Sequence, residues 1–247
     1  MKVLSFHLKG KMAHFRRYYS NSSALSYTIP PRTTIIGIVA GLLGYPRDSY
    51  YEDFSKDQCK VAVSVRAPIK KQIQKLNLLM VKSPNDLNGS QEFHSQTATE
   101  LVLPQNIRTG FIDYRVWLAH RDQSVMDKLL SFTAGPGYLT KGISVALGTA
   151  QHLGWVENGQ TLEVEEYGEG LADIHSVIPS GKLLKIDFSS PQSEYRLYKE
   201  DMPIEFDKER KLVDKGNMLI NVHTSPVRAY VSDYVRLSDG ETITWME

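Results

Sequence analysis

Three things are scarce or missing in this chain, and each excludes a class of protein. Cys59 is the only cysteine among 247 residues, so neither an intrachain disulfide nor a cysteine-rich zinc site can form. No run of about 18 uncharged apolar residues occurs, which argues against a membrane-spanning helix. Lys9 and Lys11 stand where a signal peptide needs its apolar centre, so we expect a cytoplasmic protein with no membrane contact.

Acidic residues are missing from the first 47 positions, which contain seven lysines and arginines before Asp48. Residues 1–130 hold 18 Lys and Arg against 10 Asp and Glu, whereas residues 131–247 hold 11 against 18. The net charge of +1 therefore hides a basic part and an acidic part. A cationic run of this kind attracts a polyanion, although a solvated surface of any protein can carry one as well.

Motifs of the common enzyme classes are also missing. The seven histidines are nowhere spaced as i, i+4 or as His-x-His, which predicts no metal site. Residues 134–144, AGPGYLTKGIS, lack the Walker spacing, and no Gly-x-Ser-x-Gly elbow occurs. The sequence therefore predicts no cofactor, no metal and no assigned catalytic residue.

Hydrophobic patterning predicts the first structural elements. KVLSFHL, residues 2–8, alternates as a strand. TTIIGIVAGLLG, residues 33–44, begins at a threonine able to cap a helix and stops at a glycine, which predicts a buried helix. Residues 48–54 are predicted to form a second, short helix. Residues 59–68 alternate as a strand, and residues 71–82 are predicted to return beside it.

A long hairpin is predicted in the middle of the chain, over about residues 94–120. Residues 97–103 and 111–119 alternate on either side of a turn rich in polar residues. The turn carries Arg108 and Thr109 and no acidic residue, which suits a tip that inserts between nucleotides. An amphipathic helix is predicted after the hairpin, at residues 122–132.

The order strand, helix, strands, helix is typical of a β-α-β-β-α-β unit, so we predict an α+β protein with a ferredoxin-like domain. RRM-like domains of this class are common platforms for RNA. Beyond Gly148 the chain consists of short alternating runs separated by turn residues, which predicts a smaller β-rich part. We place the boundary between residues 1–150 and residues 151–247.

Residues 13–34, AHFRRYYSNSSALSYTIPPRTT, have the composition of an RNA-binding segment. A single RNA strand needs cations for phosphates, flat side chains for bases, and hydroxyl or amide groups for base edges and 2′-hydroxyls. The segment supplies all three, and the following helix adds free backbone N–H groups. The alternative is that its tyrosines only pack the segment onto the domain. The predicted RNA-binding residues here are His14, Phe15, Arg16, Arg17, Tyr18, Tyr19, Asn21, Ser22, Ser23, Ser26, Tyr27, Arg32 and Thr33.

The glycine-rich stretch gives a second set of candidates. Gly135 and Gly137 remove side chains, so that an RNA backbone could lie against the main chain, with Lys141 as the counter-charge. A plain surface loop is the alternative. Metal-free RNA cleavage also stays open, because His14 as base and Lys141 as cation are chemically able to perform it.

The segment AHFRRYYSNSSALSYTIPPRTTIIGIVAGLLG, followed by RDSYYEDF, resembles a known amino-terminal signature. It is that of the RAMP subunit that binds the crRNA 5′ handle in type I CRISPR Cascade complexes, the fifth numbered family of Cas proteins. The sequence is closest to the type I-B branch. YRVWL at 114–118 and ALGTAQHLG at 146–154 extend the resemblance.

This resemblance implies a RAMP domain with a protruding thumb hairpin, a small carboxy-terminal β domain and a role in antiviral defence. It implies crRNA as ligand, the Cascade backbone subunit and large subunit as protein partners, and target DNA as an indirect partner. The loop from His14 to Arg32 would line the handle, Arg108 would lie on the thumb, and residues 135–142 would be the glycine loop. The resulting hypothesis is a non-catalytic RNA-binding subunit. Its alternatives are a metal-independent endoribonuclease on the same fold, and a protein-interaction module without nucleic acid.

Overall fold

A computed structural model of the chain describes residues 1–20, 24–77, 84, 96–135, 144–189 and 195–247. Within these ranges the fold is α+β and mostly β, with two helices, α1 (Arg32–Leu43) and α2 (Gln123–Thr133). Neither helix is long and apolar enough to cross a membrane. The strands are β1 (Lys2–Gly10), β2 (Phe15–Arg16), β3 (Ser26–Tyr27), β4 (Cys59–Val65), β5 (Ile69–Asn77), β6 (Gln96–Pro104), β7 (Ile112–His120), β8 (Gly154–Ile174), β9 (Ile178–Pro179), β10 (Leu183–Ile186), β11 (Leu197–Phe206), β12 (Leu212–Asn221), β13 (Val227–Leu237) and β14 (Thr242–Ile243).

The largest sheet has the strand order β10-β13-β14-β8-β1-β7-β4. Within this sheet, β8, β1, β7 and β4 pair with one another in that order, and each of these pairings is antiparallel. Because side chains alternate along a strand, Leu4, Phe6 and Leu8 of β1 enter the core under the two helices, while Val3 enters a second core on the opposite face. The predicted strand at residues 2–8 is confirmed.

Helix α1 confirms the buried helix predicted from the apolar run, but its start differs from the prediction. Pro31 occupies the N-cap position and no side chain caps the helix, so Thr33 lies inside the first turn. The helix ends because Gly44 adopts the left-handed conformation, with φ of 82°. Helix α2 is also confirmed, with Asp122 accepting a hydrogen bond from the Ser124 N–H as its cap.

The pairing of the middle strands differs from the prediction. Strand β6 pairs along its whole length with β5, whereas β7 pairs with β1 and β4. The predicted hairpin over 94–120 is therefore wrong, and so is the return of residues 71–77 beside β4; residues 78–82 of that prediction lie outside the described residues. Strand β7 is buried on both faces, from Tyr114 to Ala119, which requires a central place in a sheet.

The predicted helix at residues 48–54 is also wrong. These residues form turns, and Asp48 has a φ of 62°. The carboxylate of Asp48 accepts two hydrogen bonds from the Arg210 guanidinium and one from the Tyr51 hydroxyl. Tertiary contacts of this kind outweigh the local helix propensity of a short segment.

The carboxy-terminal residues close the sheet face that the helices leave open. Leu237, Ile243 and Trp245 pack on Trp117 of β7 in the second core. The Met246 N–H also donates to the Val61 carbonyl at the edge of the sheet. Both faces of the central strands are therefore covered by the chain itself.

The later strands add to the sheet as well as building a second one. Strand β8 begins just after the boundary predicted at residue 150 and pairs with β1. Strands β11, β12 and β9 form a separate three-stranded sheet. Met202 and Ile204 of β11 share the main core with α1. The division at residue 150 stays a prediction.

Candidate nucleic-acid interface

The segment with RNA-binding composition contains a short hairpin that is anchored to the rest of the protein. Strands β2 and β3 pair Phe15 with Tyr27 and Arg16 with Ser26. The hairpin is fixed to β6 by single bridges, Ala13 to Val102 and Ala24 to Thr99. Its backbone is therefore held in place along β6.

Five of the predicted RNA-binding residues are buried, so their side chains do not form a surface for RNA. Phe15 and Tyr27 belong to the main core, and the Phe15 ring meets the Tyr114 ring edge to face at 6.0 Å. The Ser26 hydroxyl accepts from the Phe15 N–H inside the hairpin. For these aromatics the packing alternative is the correct one. The five buried residues are His14, Phe15, Ser26, Tyr27 and Arg32.

Arg32 has a structural role in place of the predicted RNA contact. Its guanidinium donates to the carbonyl oxygens of Ile204, Phe54 and Cys59 at 3.0, 2.9 and 2.6 Å. Burial lowers the pKa of Arg32, because a charged group loses its hydration inside the protein. Arg32 thus ties α1 to the second sheet. Thr33 lies in a cleft with Tyr51 and Glu205, and this carboxylate disfavours a phosphate at the helix start.

A buried carboxylate fixes the hairpin to the second sheet. Glu200 of β11 is 5 % exposed and accepts from the Thr28 N–H at 2.8 Å and the Thr28 hydroxyl at 2.9 Å. It also pairs with Arg17 at 3.0 Å and Lys71 at 3.2 Å. Lys71 reaches Glu100 of β6 as well, at 3.4 Å. Arg17 is therefore engaged within the protein and is not a free phosphate ligand.

Other basic residues of the first part of the chain also form ion pairs with acidic residues of the second part. Lys56 pairs with Asp214 at 2.8 Å, Lys60 with Glu247 at 3.0 Å and Arg115 with Asp239 at 2.6 Å. Arg66 pairs with Glu241. Much of the basic part thus meets the acidic part of the same chain, so the sequence imbalance overstates the charge offered to a polyanion.

Three predicted residues remain exposed at the tip of the β2–β3 hairpin. Arg16 is exposed and donates one hydrogen bond to the Ser20 carbonyl. Tyr18 and Tyr19 are exposed, and their rings meet edge to face at 5.1 Å and 87°. The Tyr19 hydroxyl accepts from Arg17 at 2.8 Å. The Tyr18 hydroxyl donates to Asp201 at 3.3 Å. The hairpin thus offers one exposed cation and two exposed flat rings, the groups that single-stranded nucleic acid requires.

The turn with Arg108 and Thr109 is exposed, as predicted, but it is not the tip of a hairpin. It joins β6 to β7, and the Asn106 side chain accepts from the N–H groups of both residues. Strands β5 and β6 instead form a separate two-stranded ribbon, which sequence analysis missed. Ile73 on this ribbon is 61 % exposed and stands beside Gln72, Gln74 and Lys75, which are also exposed. The signal in the sequence was that the strand at residues 69–77 has apolar residues without the regular alternation that marks a buried face.

Part of the predicted site lies outside the described residues: Asn21, Ser22, Ser23, Gly137 and Lys141. Gly135 follows α2 and is exposed, and a side chain there would meet nothing within 4 Å. Of the predicted residues, Arg16, Tyr18 and Tyr19 are therefore exposed together on the β2–β3 hairpin.

A second histidine, His152, lies near His14 of the hairpin and was not among the residues predicted from the sequence. His14 Nδ1 forms a hydrogen bond with the Glu100 carbonyl at 2.8 Å, and the backbone N–H of His14 donates to the Leu147 carbonyl. Burial, followed by the nearby His14, lowers the pKa of His152. A side chain at Gly148 would collide with the His14 carbonyl, 2.0 Å from the Cβ position. The stretch 146–154 is therefore packing support for the hairpin.

Metal binding has no geometric support within the described ranges. No three side chains of histidine, cysteine, aspartate or glutamate come together there as ligands would. Cys59 is buried, and burial raises the pKa of its thiol to about 12. A thiol in this state is a poor nucleophile.

The fold has known counterparts. A protein described as "Crystal structure of a CRISPR protein from Archaeoglobus fulgidus" is 15 % identical, with 98 % of each chain covered and a TM-score of 0.59. A chain of a "CRISPR RNA-guided surveillance complex" is 11 % identical, with 92 % of this chain and 91 % of that chain covered and a TM-score of 0.41. At such identities the likeness to the first protein is one of fold. Comparison with curated protein sequences finds no match.

A family model described as "CRISPR-associated protein (Cas_Cas5)" matches residues 3–124. This range contains the β2–β3 hairpin, α1, the β5–β6 ribbon and all of β7. The chain belongs to this CRISPR-associated family.

Proposed function

We propose that this chain is a non-catalytic subunit of a type I-B CRISPR surveillance complex and that it binds the 5′ handle of crRNA. The observation that carries the proposal is the exposed group Arg16, Tyr18 and Tyr19 on an anchored hairpin, in a chain of a CRISPR-associated family. The cation suits a phosphate, and the rings suit unpaired bases. The backbone subunit and the large subunit of the complex are its proposed protein partners, and target DNA is an indirect one.

We further propose that β1, α1, β4, β7, α2 and β8 form the ferredoxin-like RAMP unit. Their sheet order β8-β1-β7-β4 supports this, since the first strand lies between the last and the third. The β5–β6 ribbon is inserted between the second and third strands of that unit. It takes the place of the 94–120 hairpin as the proposed thumb.

RNA recognition on the open sheet face, as in RRM domains, is disfavoured. That face is covered by the carboxy-terminal residues, and Trp117 on it is 0 % exposed. Arg115 on the same strand is paired with Asp239 and Glu241 at 2.6 and 2.9 Å. The proposed binding surface is therefore at the end of the sheet, on the hairpin and the neighbouring turns.

The alternative as a metal-independent endoribonuclease requires a base within hydrogen-bond reach of a 2′-hydroxyl. His14 is 4 % exposed and bonded to the Glu100 carbonyl, which argues against it as that base. Lys141, the cation of the hypothetical pair, lies outside the described residues. The geometry thus favours binding over cleavage.

Replacing Arg16 by Gln should weaken binding to single-stranded handle RNA by the loss of one phosphate contact. The slope of log affinity against log salt concentration should fall by about 0.7, the contribution of one contact on a single strand. Filter binding across a salt series measures it. The matched control is Lys128→Gln on the exposed face of α2, which removes the same charge and should leave the slope unchanged. An unchanged slope for Arg16→Gln would contradict an RNA contact at the hairpin, and no salt-dependent RNA binding at all would favour a protein-interaction module.

Purified protein should leave a repeat-containing precursor RNA uncut over hours in EDTA. The physical reason is that His14, the base of the hypothetical pair, is buried and bonded to the Glu100 carbonyl. Denaturing gel electrophoresis of labelled RNA is the measurement, with His14→Asn as the comparison. Discrete cutting at the repeat by the wild-type protein, lost in a folded His14→Asn variant, would establish the nuclease alternative.

A further inference from the structure

The end of β1 brings three chain segments to one place. Gly10 pairs with Ile112 of β7 on one side and with Gly154 of β8 on the other. One residue beyond this row of the sheet stand Lys11, Phe111 and Leu153, on three different connections. Neighbouring strands lie about 4.8 Å apart, so these residues are close neighbours at the end of the sheet.

The side chains at this point form an exposed aromatic and cationic surface. The Lys11 ammonium lies 3.8 Å from the centre of the Phe111 ring and donates to the Gly110 carbonyl at 2.9 Å. The Phe111 and Trp155 rings meet edge to face, with centres 5.3 Å apart and an interplanar angle of 83°. Phe111 is 41 % exposed and Leu153 62 % exposed. Large apolar side chains in contact with each other and left open to solvent indicate a binding surface.

The charges around this surface favour an anionic ligand. Lys11 and Arg108 form no ion pair within the described part of the chain, and both are exposed. Two carboxylates of the adjoining strands are engaged: Glu157 pairs with Lys9 at 2.7 Å and accepts from the Trp155 indole N–H at 2.8 Å, and Asp113 bonds with His7 at 2.7 Å. The hydrogen bond from Lys9 lowers the pKa of Glu157, which keeps that pair ionised.

We propose that Phe111, supported by Trp155, stacks one unpaired nucleobase of the bound RNA, with Lys11 taking the adjacent phosphate. This proposal rests on the proposed function and adds a second contact point to the Arg16 hairpin. A lysine above an exposed ring is held by only about 0.5–1 kcal/mol, so a base can displace it from the ring. The displaced ammonium then meets the phosphate of the same nucleotide. A flat base and the negatively charged phosphate of its nucleotide match this pair of groups better than the apolar surface of a protein partner, which would leave Lys11 and Arg108 without acceptors.

The intrinsic fluorescence of the protein gives a direct test. Of its three tryptophans, Trp117 and Trp245 are buried, so Trp155 is the one near the proposed platform. Titration with a single-stranded oligouridylate should quench the Trp155 emission, and duplex RNA of equal charge should not. Phe111→Leu keeps the apolar bulk but loses the ring face, so it should abolish the quenching and weaken binding about 5- to 150-fold, the range for one stacked base. Phe111→Tyr should retain both properties, and Trp155→Phe should bind RNA without the signal.

The outcomes separate this proposal from the proposed function. If Phe111→Leu binds and quenches as the wild type does while Arg16→Gln still weakens binding, the platform is wrong and RNA binding by the hairpin stands. Quenching that persists in Trp155→Phe also overturns the platform, because the signal then arises elsewhere. If Phe111→Leu behaves as expected while Arg16→Gln has no effect, the platform is supported and the hairpin is not the contact. If the wild-type protein binds no single-stranded RNA, both are overturned.

Discussion

Glu200→Ala is expected to lower the free energy of unfolding by about 3–5 kcal/mol, the cost of removing one partner from a buried ion pair. Glu200 accepts four hydrogen bonds or ion pairs, from the Thr28 N–H, the Thr28 hydroxyl, Arg17 and Lys71. Without the carboxylate, Arg17, Lys71 and the Thr28 N–H lose their acceptor in a site that is shielded from water. Urea unfolding followed by circular dichroism measures the change.

The control for this experiment is Glu209→Ala, which removes the same charge at an exposed position of the β11–β12 turn. It should change the free energy of unfolding by less than about 0.5 kcal/mol, as surface substitutions do. Because Glu200 also holds Arg17 next to Tyr19, folded Glu200→Gln should bind handle RNA more weakly than the wild type. Equal unfolding midpoints for Glu200→Ala and the wild type would show that the network does not anchor the hairpin.

Trp245→Ala is expected to lower the free energy of unfolding by about 3–5 kcal/mol, the range for truncating a buried tryptophan. Trp245 is 2 % exposed and packs in the second core with Trp117, Leu237 and Ile243. This core holds the carboxy-terminal residues on the open sheet face. Chemical unfolding of the purified variant is the measurement.

The matched control is Leu184→Ala on β10, because Leu184 is 69 % exposed and its truncation leaves no buried cavity. It should change stability by less than about 0.5 kcal/mol. If Trp245→Ala were as stable as the wild type and gained affinity for single-stranded RNA, the carboxy-terminal residues would be a removable cover. The sheet face would then be an RNA platform after all.

Elements whose pattern is local were predictable from the sequence. The apolar run at 33–44 with its closing glycine predicted α1, and alternation predicted β1, because each depends on which faces are buried. The hairpin over 94–120 was predicted wrongly for a related reason. Alternation shows that a segment is a strand, but it does not show which strand pairs with it.

The candidate site was predictable only in part. Composition identified the segment 13–34, and Arg16, Tyr18 and Tyr19 are exposed there as an RNA contact requires. Composition also selected Phe15, Tyr27 and Arg32, whose chemistry is equally suitable but whose side chains are buried. An aromatic ring serves a core and a base equally well, so residue type alone does not separate the two uses.

The sequence by itself determined the fold class, the positions of the two helices and the segment that carries cations and flat rings, since these follow from residue type and short-range periodicity. The tertiary structure alone decided which of those groups face solvent and which strands are neighbours. It also decided that Glu200, 183 residues after Arg17, neutralises that arginine. The physical reason is that burial and ion pairing depend on distances across the fold, and residues far apart in the chain set those distances.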